Sequence, residues 1–234
     1  MKKSLKTLAL MALVVLLAFA AVSLAEQPGR LEVLARNVEW SYLDDGKDLG
    51  AGWAAAPDTA AWKKGPAPLG FGDDVSETDP TLPLATEVGF GPDEDNKHMT
   101  TYMVTSFDAP SLEGYLGLEV YVHVDDGAVV YLNGEELFRA GIAEGDVDYN
   151  TKAKFKPKEE TFVIALEDIK GLKEGANLLA AEVHQDGGDS SDLWFEMGLV
   201  AVKEIPTPID WTKTALPNPV VEAGDVSRLV MSYN

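Results

Sequence analysis

The sequence predicts an all-β chain, an antiparallel two-sheet β-sandwich preceded by a signal-peptide helix. Three observations carry this. Between residues 33 and 202, short apolar runs alternate with turn residues, and no ten-residue helical stripe interrupts them. Two of these runs flank Asn133-Gly134, the dipeptide that most readily takes the positive φ angles of a type I′ hairpin turn. The first 25 residues have the three-part layout of a secretory leader.

In that leader, Lys2, Lys3 and Lys6 precede an apolar run from Leu8 to Val22, and Ser23-Leu24-Ala25 supplies small residues where a signal peptidase reads. The run is shorter than the roughly 20 residues a membrane-spanning helix needs. A cleaved leader is therefore expected, with a secreted or periplasmic destination and no membrane attachment after cleavage. There is no cysteine, so no disulfide supports an exported fold. Lys and Arg total 19 against 39 Asp and Glu, a net charge of −20, and every acidic residue lies beyond the leader. Such a surface repels phosphate backbones, which argues against a nucleic-acid partner.

Along the chain, 116–124 is the clearest strand, with Leu116, Leu118, Val120, Val122 and Val124 on one face and Glu119, Tyr121 and His123 on the other. Residues 128–132 and 135–139 form the hairpin about Asn133-Gly134 and, with 116–124, are expected to pair antiparallel in the sandwich. Further strands are expected at 100–107, 161–166, 177–184 and 193–202, the last with Leu193, Phe195, Met197 and Leu199 facing inward. A short helical turn is expected over 167–172. The stretch 65–97, rich in Gly, Pro and Asp, reads as long loops. The domain reading is a signal peptide over 1–25, a sandwich module over 26–204, a proline-spaced linker over 205–226, and the start of a following domain over 227–234.

Four groups of residues could carry chemistry. Asp125-Asp126-Gly127 makes a tight corner whose carboxylates either cap backbone N–H groups, the plainer reading, or help hold a cation. The loop His184-Gln185 to Ser190-Ser191-Asp192 brings His, Ser and Asp close together. Without a nucleophile elbow it reads as a loop satisfying its own backbone rather than as a hydrolase triad. Trp40, Tyr42, Trp53 and Trp62 lie near Asp44 and Asp45 and read as core aromatics or as a sugar-stacking surface. Calcium needs only oxygen ligands, which the acidic loops around Asp73 and Asp74 and around 93–95 could supply, although no twelve-residue calcium loop is present. With three histidines and no H-x-H or H-E-x-x-H spacing, a transition-metal centre is not expected. The candidate ligand-binding set is Asp44, Asp45, Asp73, Asp74, Asp125, Asp126, His184, Gln185, Ser190, Ser191 and Asp192, and any site is expected at the loop-rich end of the sandwich, drawing on Asp44, Asp45, Asp73, Asp74 and the 184–192 loop, rather than on the sheet faces.

Taken together, 40–46, 62–73, 125–134 and 184–192 resemble a galactose-binding-like or jelly-roll accessory module of secreted bacterial multidomain proteins. The Asp-Asp-Gly hairpin also resembles part of PA14-type sandwiches, some of which bind glycans through calcium. Residues 226–234 resemble the opening strand of the fibronectin-like domain that precedes the catalytic domain of purple acid phosphatases. That resemblance implies a longer, exported metallophosphoesterase, but none of its metal motifs occurs in this sequence. The expectation is a non-catalytic accessory module serving a downstream domain of the same polypeptide. The alternatives are a carbohydrate-binding module, calcium-dependent or not, with a glycan partner, and a cryptic hydrolase using His184.

Overall fold

The computed structural model describes residues 28–72, 83–154 and 159–205. Twelve strands follow in chain order: β1 (Arg30–Leu34), β2 (Glu39–Leu43), β3 (Lys63–Pro66), β4 (Leu69–Phe71), β5 (Thr86–Glu87), β6 (Thr100–Ala109), β7 (Gly117–Asp125), β8 (Gly127–Leu132), β9 (Glu135–Ala140), β10 (Glu159–Ala165), β11 (Gly175–His184) and β12 (Leu193–Val202). They form two six-stranded sheets. The first runs β10-β7-β12-β4-β5, with β1 also paired to β12, and the second runs β3-β2-β6-β11-β8-β9. Every pairing is antiparallel except β4 with β5.

The alternation read from the sequence decides which side chains enter the core. Leu118, Val120, Val122 and Val124 of β7 meet Phe195, Met197 and Leu199 of β12 and Met103, Leu179, Ala181 and Val183 of the opposite sheet in one buried cluster. Trp40 is fully buried there, edge-on to Phe195 with ring centroids 5.3 Å apart. Leu116 departs from the pattern: it precedes β7 and is 54% exposed. It lies where the chain turns into the strand, with its N–H bonded to the Val202 carbonyl, so its side chain is not committed to either face.

The hairpin forms as expected, Asn133 and Gly134 having φ of 51° and 88°. β7, however, does not pair with it. The Asp125-Asp126 corner carries the chain from the first sheet to the second, so two sequence neighbours lie in different layers. The 65–97 stretch contains the end of β3 and two short strands, β4 and β5, within what reads as loop, because two to four residues are too few to show a period. The turn expected over 167–172 is a single 3-10 turn, Leu166–Asp168. The leader, Asp73, Asp74 and residues 206–234 lie outside the described residues.

Candidate functional site

The outer face of the second sheet carries an aromatic and acidic cleft that cross-strand register builds directly. Tyr102 of β6 lies opposite Glu182 of β11, Glu182 opposite Val129 of β8, and Val129 opposite Arg139 of β9. In the next row Val104, Ala180 and Tyr131 align. Residues opposite one another share a face, so these side chains point the same way. A register shift between Val130 and Tyr131 pairs Tyr131 with Glu136 and leaves Leu137 extra. That bulge places Glu136 and Arg139, three residues apart, on one face, where the Arg139 Nε donates to Glu136 Oε1 at 2.8 Å.

Small residues make room above this face. Ala180 and Val104 are the buried floor on which Ala54, Trp53, Trp62 and Tyr131 pack. Gly50 and Gly52, with φ of 70° and 77°, turn the chain so that the 3-10 turn Trp53–Ala55 lies back across the sheet. The Trp53 ring is edge-on to Tyr102 with centroids 4.8 Å apart and to Tyr131 at 6.2 Å, and its plane is within 31° of that of Trp62 at 6.4 Å. Trp53, Trp62 and Tyr131 remain half-exposed, whereas Trp40 and Tyr42 are core. Of the four aromatics grouped in the sequence, two are therefore core and two lie partly at the surface.

Glu182 lies 4% exposed in the floor of the cleft. The Tyr131 hydroxyl donates to its Oε1. Burial pushes the Glu182 carboxyl above the usual carboxylate range, against the opposing effects of Tyr131, Trp53 and Arg139. The Trp53 indole N–H faces the same carboxylate without reaching a hydrogen bond of normal geometry. Burial also raises the Tyr131 and Tyr102 phenols, Tyr102 to about 12. Around this floor Asp48, Glu136, Arg139, Asp146, Asp148 and Tyr149 complete a cleft of about 370 Å³. A second cleft of about 440 Å³, lined by Leu43, Asp45, Lys47, Pro57, Asp58 and Trp62 among others, shares Trp53 with the first.

The described residues of the candidate ligand-binding set sit at the end of the sandwich, where β2, β7 and β11 finish and β6 and β12 begin. Asp44 is buried, and its Oδ2 accepts from Lys63 Nζ at 2.8 Å and from the Gly89 N–H at 2.6 Å. Asp45 is exposed and accepts from the Lys47 N–H. Asp125 and Asp126 form the corner between the sheets. Asp126 Oδ2 accepts from the Asp186 N–H at 2.8 Å and Ser190 Oγ at 2.9 Å, and the Gln185 amide, turned to donate, reaches Asp126 Oδ2 and the Asp192 carbonyl at 3.2 Å. Ser191 donates to Asp192 Oδ1. Asp126, Gln185, Ser190 and Asp192 are thus brought together, while Asp44 is tied to a different loop.

His184 is fully buried on the cleft side of β11, and its Nδ1 lies 3.0 Å from Thr100 Oγ1. The Thr100 hydroxyl spends its one hydrogen on the Tyr149 carbonyl at 2.6 Å, so it accepts from His184, and the proton is on Nδ1. Nε2 makes no hydrogen bond and lies 3.8 Å from Glu182 Oε2. Burial lowers the His184 pKa to about 4. No hydrogen bond joins His184 to Ser190 or Ser191 among the described residues, and no group of three or more His, Asp and Glu there could hold a metal ion.

Sequence reasoning passed over Tyr102, Tyr131, Arg139 and Glu182. A signal existed for Glu182, the one acidic residue inside the apolar run 178–183. No comparable signal marks Tyr131 or Arg139, whose place depends on the bulge.

No protein-family model matches the chain, and no curated protein does. Among solved structures it is similar to a β-glucuronidase of an uncultured Clostridium sp., at 14% identity and a TM-score of 0.46, over 77% of this chain and 30% of that one. It is also similar to a β-glucuronidase from Ruminococcus gnavus in complex with D-glucuronic acid, at 13% identity and a TM-score of 0.46, over 76% and 30%. The chain spans about 30% of the length of these structures. A likeness at this level carries nothing about ligand or activity.

Proposed function

We propose that this chain is an exported, non-catalytic β-sandwich accessory module that binds carbohydrate in the clefts around Trp53. The observation that carries the reading is the half-exposed pair of indoles, Trp53 and Trp62, held beside a buried carboxyl and a ring of hydrogen-bonding side chains. A pyranose ring has an apolar C–H face that stacks on an aromatic ring and an equatorial belt of hydroxyls that bond carboxylates and phenols. The packing on Ala180 and Val104 keeps the indoles fixed, so little side-chain freedom is lost on binding. The leader supports export, and the resemblance of residues 226–234 supports a downstream phosphoesterase as the domain the module serves.

The test is isothermal titration of the protein and of Trp53→Ala with a panel of oligosaccharides. The variant should keep the parent's circular dichroism spectrum and bind about tenfold or more weakly. Equal affinity in parent and variant, or no binding by any sugar, would refute the site.

A further inference from the structure

Trp53 is a wall shared by two clefts, and the charged groups lining the first of them are mainly carboxyls. Asp48, Asp146 and Asp148 are exposed on its rim, Glu136 stands beside them, and Glu182 forms the floor. Among the described residues the one cation lining it is Arg139, whose side chain is only 12% exposed. Its Nε and Nη2 donate to Glu136, and its Nη1 donates to the Ala143 and Gly145 carbonyls at 2.6 and 3.2 Å. An incoming carboxylate would meet acidic side chains and a guanidinium whose charge and donors are already engaged. An incoming amine would meet the exposed carboxylates of Asp48, Asp146 and Asp148.

The second cleft adds length. Trp62 faces it with its plane close to that of Trp53, giving a second stacking surface 6.4 Å from the first. Its charged lining is mixed, Lys47 against Asp45 and Asp58. The Trp53 N–H is buried against Glu182, so the indole meets a ligand through its ring rather than through its donor.

We infer that the paired clefts take an oligosaccharide of at least two units that carries no acid groups, with amine-bearing sugars favoured over neutral ones. This rests on the carbohydrate reading above and adds chain length and charge to it. One unit stacks at Trp53 over the acidic floor, the next stacks at Trp62, and the amine lies at the Asp48, Glu136 and Asp148 rim.

The experiment measures dissociation constants for glucosamine oligomers, N-acetylglucosamine oligomers and oligogalacturonides, each as monomer and trimer, at low and high salt. The trimer should bind about tenfold more tightly than the monomer, and Trp62→Ala should abolish that gain. The amine-bearing series should bind best, the uronate series worst, and the difference should shrink as salt screens the rim. Equal affinity of monomer and trimer would overturn the two-unit site. Uronates binding as tightly as neutral oligomers would overturn the charge assignment. Either result leaves the carbohydrate reading standing, whereas failure of all three series to bind would remove that reading and this one together.

Discussion

Acidification should destabilise this fold through His184. The imidazole is fully buried, its Nδ1–H is spent on Thr100, and its Nε2 lone pair has no donor. Adding a proton to Nε2 puts a charge where water cannot solvate it, which is why burial lowers the pKa from 6.5 to about 4. The unfolded chain binds that proton near pH 6.5 and the folded chain only near pH 4. As pH falls through this interval the unfolded state is favoured, and the loss totals about 3 kcal/mol by linkage. Above pH 6.5 the ring is neutral in both states and contributes no slope.

Glu182 acts in the opposite sense. Its raised pKa means that the folded state holds its proton longer, so stability falls as pH rises from the unfolded carboxylate value towards the raised one. The two windows overlap and partly cancel in the parent. The assay is urea denaturation at steps between pH 4 and 7 on Glu182→Gln and on Glu182→Gln with His184→Gln. The first should lose about 3 kcal/mol on acidification, and the second should lose much less. Identical slopes, or an imidazole NMR signal in the parent that titrates near the ordinary histidine value, would refute the assignment.

Replacing Gly134 by Val should destabilise the protein by about 1 kcal/mol or more, read by chemical denaturation. The position has φ of 88°, and a Cβ there would fall 2.8 Å from Ala55 Cα, in the turn that carries Trp53. An unchanged midpoint would count against the hairpin geometry. Replacing Arg36 by Ala should cost about 1–3 kcal/mol at neutral pH, because Glu196, 3% exposed, would lose its 2.7 Å partner. Glu196 is held below the usual carboxylate range despite its burial, through His123 and Arg36. Its stabilising contribution is present above the unfolded carboxylate pKa and lost as pH falls, so the cost of the substitution should shrink in acid. A cost independent of pH would show that Arg36 acts by packing on Tyr121 rather than through charge.

What the sequence determined by itself is local. A period of two in β7 and β12, and Asn-Gly between β8 and β9, specify strands, faces and a turn because each signal lies within a few residues of chain. Those signals suffice for an all-β sandwich and for the burial of Val120, Val122, Phe195 and Met197. Sheet membership was decided by tertiary structure: β7 and β8 meet at Asp125-Asp126 yet pair in different layers. The same holds for the aromatic residues. Trp40 and Tyr42 share the face of β2 that the opposite sheet covers, while Trp53 sits on a turn laid over Ala180 on the outer face, and which face is covered depends on the other sheet. The cleft draws Asp48 and Trp53, Tyr102, Tyr131 to Arg139, Tyr149 and Glu182 from separate segments. Their proximity depends on long-range register and on one bulge, and cross-strand pairing at that separation leaves no periodicity in the sequence to read.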